Sequence, residues 1–444
     1  DIWDTEVEIA KYMYKEPAVP IETFYNVFNT NKLFYSFDFK KLFSVMGLSS
    51  STIIIHNPKF FEHYLNLFET PKMKTYFLYR VIIQHSHFHK ELRKLCFSFY
   101  SKYLHGIKKE KSFEADTFKL LHDGILNISL SKEYLKKTDC SKEIQLCKEI
   151  CQDIVKQMIV RISNNTFLHH GTKEKATDKI KNVRFVIGSS ENFQLCLLDT
   201  LRLEDISDEN PFINIQLFRD FVRNQTLKHF NEKRVLLTKE WDQSKCGNVY
   251  DVNAYYLASD NTIVLPLGIL KPPFLDVKKS LAHNLGFLGS TIGHELFHAI
   301  DDEGCKFDKF GNYNNWWSKQ DLVHYKKSQK YIVKMYEDYA KQNDNIKING
   351  KISLGENIAD IGGMLVSEMV LLENKNQNQD QDLKEFFIAY AKQWRILYSK
   401  KEFETKRMYD VHALFKYRTN CVLLFSKNFQ RLYKKDNKDY TFFW

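Results

Sequence analysis

Two short patterns, separated by 48 residues, constrain this chain more than anything else in it. The first is Gly289 to Gly304, GSTIGHELFHAIDDEG, which holds His294-Glu295-x-x-His298. On a helix, residues i and i+4 lie one turn apart on one face, so both imidazoles can reach one ion. Glu295, beside the first histidine, is then placed to act on a water at that ion. Two histidines leave a metal site short of a third protein ligand. The second pattern supplies it: Ser353-Leu354-Gly355-Glu356-Asn357-Ile358-Ala359-Asp360. Glu356 and Asp360 are again i and i+4, so a second helix presents both carboxylates on one face. Glu356 is the candidate ligand. Asp360 is the candidate acceptor for the free N–H of a ligating histidine, a contact that fixes the ring and raises its basicity. A fold compatible with both patterns has to bring two helices together at these residues.

The remaining sequence narrows the class. At 444 residues the chain has material for two or three domains. It opens at Asp1 without an initiator methionine, so the expectation is a fragment or a processed form. The formal charge is +10, but its lysines are scattered and no block of like charges forms a nucleic-acid arm, so no nucleic-acid partner is expected. No apolar run is long enough to span a bilayer. Sequons at Asn127, Asn164 and Asn224 lean toward the secretory pathway. None of the eight cysteines has C-x-x-C spacing.

From Asp1 to about Lys228 the pattern predicts mostly helices, with a short strand at Thr52 to Ile55 closed by Asn57-Pro58. Phe60 to Phe68 and Tyr76 to Tyr103 have helical spacing, and Ile144, Cys147, Cys151, Ile154 and Met158 mark one buried stripe. His85, His87 and His89 lie in a helical pattern where i and i+2 diverge, which argues against a metal site. Strands are expected at Val235 to Leu237, Val252 to Tyr256 and Thr262 to Leu265, and a hairpin around Asn312 to Trp317. Glu373 to Asp382 is a polar loop. The fold class is mainly α (α+β), with the boundary near 232: a helical part at 1–232 and a mixed part at 233–444.

Taken together these blocks resemble the neprilysin and endothelin-converting-enzyme family of zinc metallopeptidases, the gluzincins. The resemblance rests on Val252-Asn253-Ala254-Tyr255-Tyr256, on Ile263 through Phe274, on the two metal patterns, and on Tyr409-Asp410-Val411-His412 with Arg418 and a terminal Trp444. It implies a thermolysin-like catalytic domain at 233–444 and a helical lid-like domain at 1–232 that roofs the site, without the family's anchor region. It further implies one zinc on His294, His298 and Glu356, with Glu295 as general base and Asp360 orienting a histidine. His412 and Arg418 would stabilise the transition state. Asn253 and Ala254 would hold an extended peptide, and Ile269, Phe274 and Trp394 would line the pocket for the residue after the scissile bond. The implied activity is endopeptidase cleavage of oligopeptides, outside the cell or at its surface. The chain departs from the family at Ala413-Leu414, where a proline is usual, at Cys421, and at Ser290, Thr291 and Gln393, whose polarity is expected to shift substrate preference away from large apolar side chains. Rival readings are a catalytically impaired member that binds peptides or a receptor, and an aminopeptidase. The intact ligand set argues against the first, and the lack of a G-x-M-E-N-like run against the second.

Overall fold

The computed structural model describes residues 2–13, 24–26, 37–48, 52–55, 58–68, 70–124, 126–193, 199–200, 202–231, 239–374, 378–434 and 440–444. Helices dominate, as the periodicity predicts. The expected strand at Val235 to Leu237 lies outside the described residues. The chain gathers into two compact units that interleave along the sequence: 1–112 with 200–234, and 113–199 with 235–444. The division of contacts therefore does not fall at one point near 232.

The first unit is helical, with Pro58–Phe68, Pro71–Gln84 and Pro211–Asn231 among its helices. Among its described residues, Thr52–Ile54 pairs with Phe24–Asn26 in a two-stranded sheet. The helical stretch expected from Tyr76 to Tyr103 is interrupted. His85 ends one helix, a 3₁₀ turn covers Ser86–Phe88, and His89 caps the next helix by accepting from the Leu92 N–H. These histidines serve local backbone geometry.

The second unit carries both metal patterns. Its first long helix, α1 (Ser141–Ser163), buries Cys147, Cys151, Ile154 and Met158, the stripe read from the sequence. After it come α2 (His170–Lys181) and β1 (Arg184–Gly188). β1 was not foreseen in a stretch that reads as helical, and it explains the interleaving. It pairs in parallel with β3 (Thr262–Pro266), which also pairs antiparallel with β2 (Tyr255–Leu257). β3 is central and wholly buried, while β2 is an edge strand among the described residues. The expected strand at Val252 to Tyr256 is thus shorter and later than its β-rich sequence suggests. Val252 is 62 % exposed and lies outside the paired residues, which begin at Tyr255. The expected hairpin at Asn312 to Trp317 reduces to one bridge, Phe307 to Tyr313.

The helices α3 (Ser290–Phe297), α4 (Lys319–Asp344), α5 (Leu354–Glu373), α6 (Gln379–Gln393) and α7 (Phe415–Leu423) complete the frame. α4 starts at Ser318, whose hydroxyl accepts from the Asp321 N–H and donates to the Asp321 carboxylate. That buried carboxylate also accepts from Thr172 and from the His169 backbone, tying the starts of α2 and α4 together. Burial would raise its pKa, but the donors, Thr172 foremost, outweigh it and hold it at about 2.

α3 and α5 cross backbone to backbone. A Cβ placed on Gly363 would lie 2.4 Å from the His294 nitrogen and 2.7 Å from the Ser290 carbonyl oxygen, and one on Gly293 would lie 2.7 Å from the Gly363 oxygen. Only hydrogen fits between these helices. Replacing Gly363 with alanine is expected to force them apart, lowering the unfolding free energy by about 1–3 kcal/mol and weakening metal binding. Urea unfolding checks the first effect and chelator competition the second; wild-type values in both would contradict the packing argument.

Candidate metal centre and active site

The crossing places three ligand atoms around one point. The Nε2 atoms of His294 and His298 are 2.9 Å apart, and the Glu356 carboxylate lies 3.3 Å from the first and 3.8 Å from the second. Among the described residues this is the one cluster of three such groups whose ligand atoms all lie within 4.8 Å of one another. The rings are turned by their other nitrogens. His294 Nδ1 lies 2.8 Å from Asp360, and His298 Nδ1 lies 2.6 Å from Asp301. With each Nδ1–H donated to a carboxylate, each Nε2 keeps a lone pair facing the other. Two lone pairs at that distance repel unless a cation or a proton lies between them.

The charges show the same need. Burial disfavours a charged His294, but the hydrogen bond and charge of Asp360, then of Glu356, outweigh it and raise its pKa to about 10. Burial would likewise raise Glu356, yet His294 and the neighbouring histidines hold it at about 2. Both shifts mark a place that favours positive charge between the rings and the carboxylate. Glu356 Oε2 is buried among ring nitrogens, 3.3 Å from His294 Nε2.

Asp360 is the hub of the next layer. It takes two hydrogen bonds from Arg418, 2.7 Å from Nε and 2.8 Å from Nη2, while also holding His294. Burial works against its charge, but Arg418 and His294 keep it well below the usual carboxylate range. The back of the Arg418 guanidinium lies 3.8 Å from the centre of the Trp394 ring, which steers it toward Asp360. His412 brings Nε2 to 3.2 Å from Glu356 Oε2. Asp410 sets that ring, accepting from the His412 backbone N–H at 3.0 Å and lying 3.2 Å from Nδ1, while Lys406 holds the other oxygen of Asp410 at 2.7 Å.

These groups open onto a cavity of 760 Å³, a size suited to a peptide segment. Glu295, His294, His298, Glu356, His412 and Arg418 line it, as do Asn253, Ala254, Ile269, Phe274 and Trp394; Asp360 lies buried behind His294. All the residues singled out from sequence are therefore brought together. Thr291 and Gln393 also line it, and the Gln393 amide donates to Ser290 at 3.0 Å, so the three polar departures form one connected group. Sequence reasoning gave no role to Asp301 or Asp410. Asp301 could have been found: it stands three residues after His298, within one turn of it.

Comparison with known proteins settles the lineage. Two models, both described as peptidase family M13, match residues 1–190 and 253–442. The chain belongs to peptidase family M13. Among curated relatives, a neutral endopeptidase of Lactococcus lactis subsp. lactis is 27% identical over 424 residues, covering 94% of this chain and 64% of that protein. Neprilysin-3 of Drosophila melanogaster is 32% identical over 260 residues, 56% of this chain and 32% of that one. The chain thus spans just under two thirds of the length of the Lactococcus lactis M13 relative. A solved structure, the zinc metalloprotease ZMP1 of Mycobacterium tuberculosis in complex with an inhibitor, superposes with a TM-score of 0.85 at 20% identity, covering 99% of this chain and 68% of that one. PepO of Lactobacillus rhamnosis gives 0.82 at 23% identity, covering 98% and 69%. At those identities the likeness establishes the fold. This M13 chain shares it, and among its described residues no helix is long and apolar enough to cross a membrane.

The Asp360 arrangement makes a direct prediction. Asp360→Asn frees His294 and leaves Arg418 buried without its carboxylate, so affinity for a divalent metal is expected to fall about 10–100-fold. Chelator competition on the purified variant measures this, and an unchanged affinity would remove Asp360 from the site.

Proposed function

We propose that this chain is a zinc-dependent endopeptidase that cuts internal bonds of oligopeptides. The observation that carries the reading is the convergence of His294, His298 and Glu356 at a cavity that also presents Glu295 and His412. Two nitrogens, one carboxylate and room for water suit zinc in a catalytic role. The facing Nε2 atoms, with the buried Glu356 carboxylate beside them, fit a cation held by those three residues. When bound there, zinc would lower the pKa of water toward neutrality and polarise a carbonyl.

The residues of the chain then divide the work. Glu295 takes the proton from water as it attacks the scissile carbonyl, and hands it to the leaving amine. His412 donates from Nε2 to the oxyanion as charge develops, which is why the fixing of its ring by Asp410 matters. Arg418 spends Nε and Nη2 on Asp360 and keeps Nη1 for a substrate carbonyl. A peptide in extended form adds along the free edge of β2, with Asn253 and Ala254 as its backbone partners. Ile269, Phe274 and Trp394 receive the side chain after the cut. In this reading the site of action is outside the cell or at its surface, where the exposed Asn164 and Asn224 would accept glycans.

Glu295→Gln decides between this assignment and a binding role for the same pocket. The variant is expected to keep zinc and lose cleavage of an internally quenched peptide by at least about a thousandfold. His412→Ala is expected to lose rate with little loss of zinc. Substantial turnover by the glutamine variant would sink the proposed base.

A further inference from the structure

Lys179 takes no part in the chemistry above, yet it is only 1 % exposed. It sits in the last turn of α2, and its ammonium donates to the carbonyl of Gly304 and to that of Phe307, at 2.7 Å each. The ring of Tyr256, on β2, lies 5.9 Å from the same nitrogen. Burial pulls the pKa of this lysine down to about 8, so placing a charge here works against stability. An apolar side chain would fill the space at less cost, so the ammonium has to be explained by what it holds.

What it holds is the turn that follows the histidine pair. Gly304 donates its N–H to Asp301 Oδ1 at 2.6 Å, and Glu303 donates to the same oxygen at 2.9 Å. The other oxygen of Asp301 lies 2.6 Å from His298 Nδ1. Gly304 also lies so close to His298 that a Cβ on it would fall 1.7 Å from the His298 carbonyl oxygen. The turn therefore has little freedom of its own. One continuous path runs from the Lys179 ammonium through Gly304 and Asp301 to the ring of His298. It is the counterpart, for the second histidine, of the path from Arg418 through Asp360 to the first.

We propose that Lys179 is a positioning residue for the metal ligand His298, acting through Gly304 and Asp301. The proposal rests on the zinc-site reading above. It concerns how the ring is aimed, and the lysine touches neither metal nor substrate.

Lys179→Met is one atom shorter, stays unbranched and removes the donors. Zinc affinity, measured by chelator competition at a temperature well below unfolding, is expected to fall about tenfold. A merely structural lysine would lower the melting temperature and leave that affinity within roughly twofold of the parent. A double-mutant cycle separates the routes. Combined with Asp301→Asn, Lys179→Met should add almost nothing to the loss, because the path is already broken. Combined with Asp360→Asn, it should multiply the loss, because that carboxylate serves the other ring. If the methionine variant does not fold, Lys179→Gln, uncharged and one atom shorter than lysine, carries the same cycle. Unchanged affinity, or full multiplication with Asp301→Asn, would overturn the proposal. Absence of zinc from the unaltered chain removes both readings, whereas bound zinc with a multiplying Asp301 cycle removes this one alone.

Discussion

The close crossing of α3 and α5 is the constraint on which the site depends. The histidines belong to one helix and its end, and Glu356 and Asp360 belong to the other, so neither helix can make a three-ligand cluster alone. Gly293 and Gly363 let the backbones approach until a Cβ on Gly363 would lie 2.4 Å from the His294 nitrogen. Ligand geometry is thus set by main-chain contact, which has few ways to adjust, and less by flexible side chains. Interiors packed to this density pass small displacements on, and a shift of either helix would be felt directly as ligand spacing.

Around that crossing the protein buries an unusual number of charges, each one tied to another. Asp360 is shared by Arg418 and His294, Asp301 accepts from two backbone N–H groups and holds His298, and Glu356 faces all three histidines. Such a network stabilises little by itself, since desolvation offsets most of the attraction. Its use is directional. Each carboxylate fixes which nitrogen of a ring carries the proton, and so which nitrogen is left to face the centre. The same logic extends to His412, whose ring Asp410 and Lys406 hold in turn.

The parts of this arrangement that follow helical periodicity could be read from sequence. His294 with His298, and Glu356 with Asp360, are pairs whose spacing alone puts them on one face. The stripe on α1 was legible for the same reason. What could not be read depends on distant partners. β1 lies in a stretch of helical character and becomes a strand by pairing Arg184 through Gly188 with Thr262 through Pro266. That pairing draws a segment of the expected N-terminal domain into the sheet beside the metal patterns. Val252 has the residue type of a strand but lies exposed, ahead of the pairing that begins at Tyr255. The glycine contacts between α3 and α5 were equally invisible, because a glycine in a helical pattern does not say what approaches it.

The proposed function requires two histidine nitrogens and one carboxylate to meet at a single zinc. Zinc-edge X-ray absorption on the purified protein measures that centre most directly. The predicted result is one zinc per chain with an all nitrogen-and-oxygen shell at about 2.0–2.2 Å, including the multiple-scattering pattern of two imidazoles. A sulfur shell near 2.3 Å, a single imidazole, or protein that takes up no zinc would contradict it.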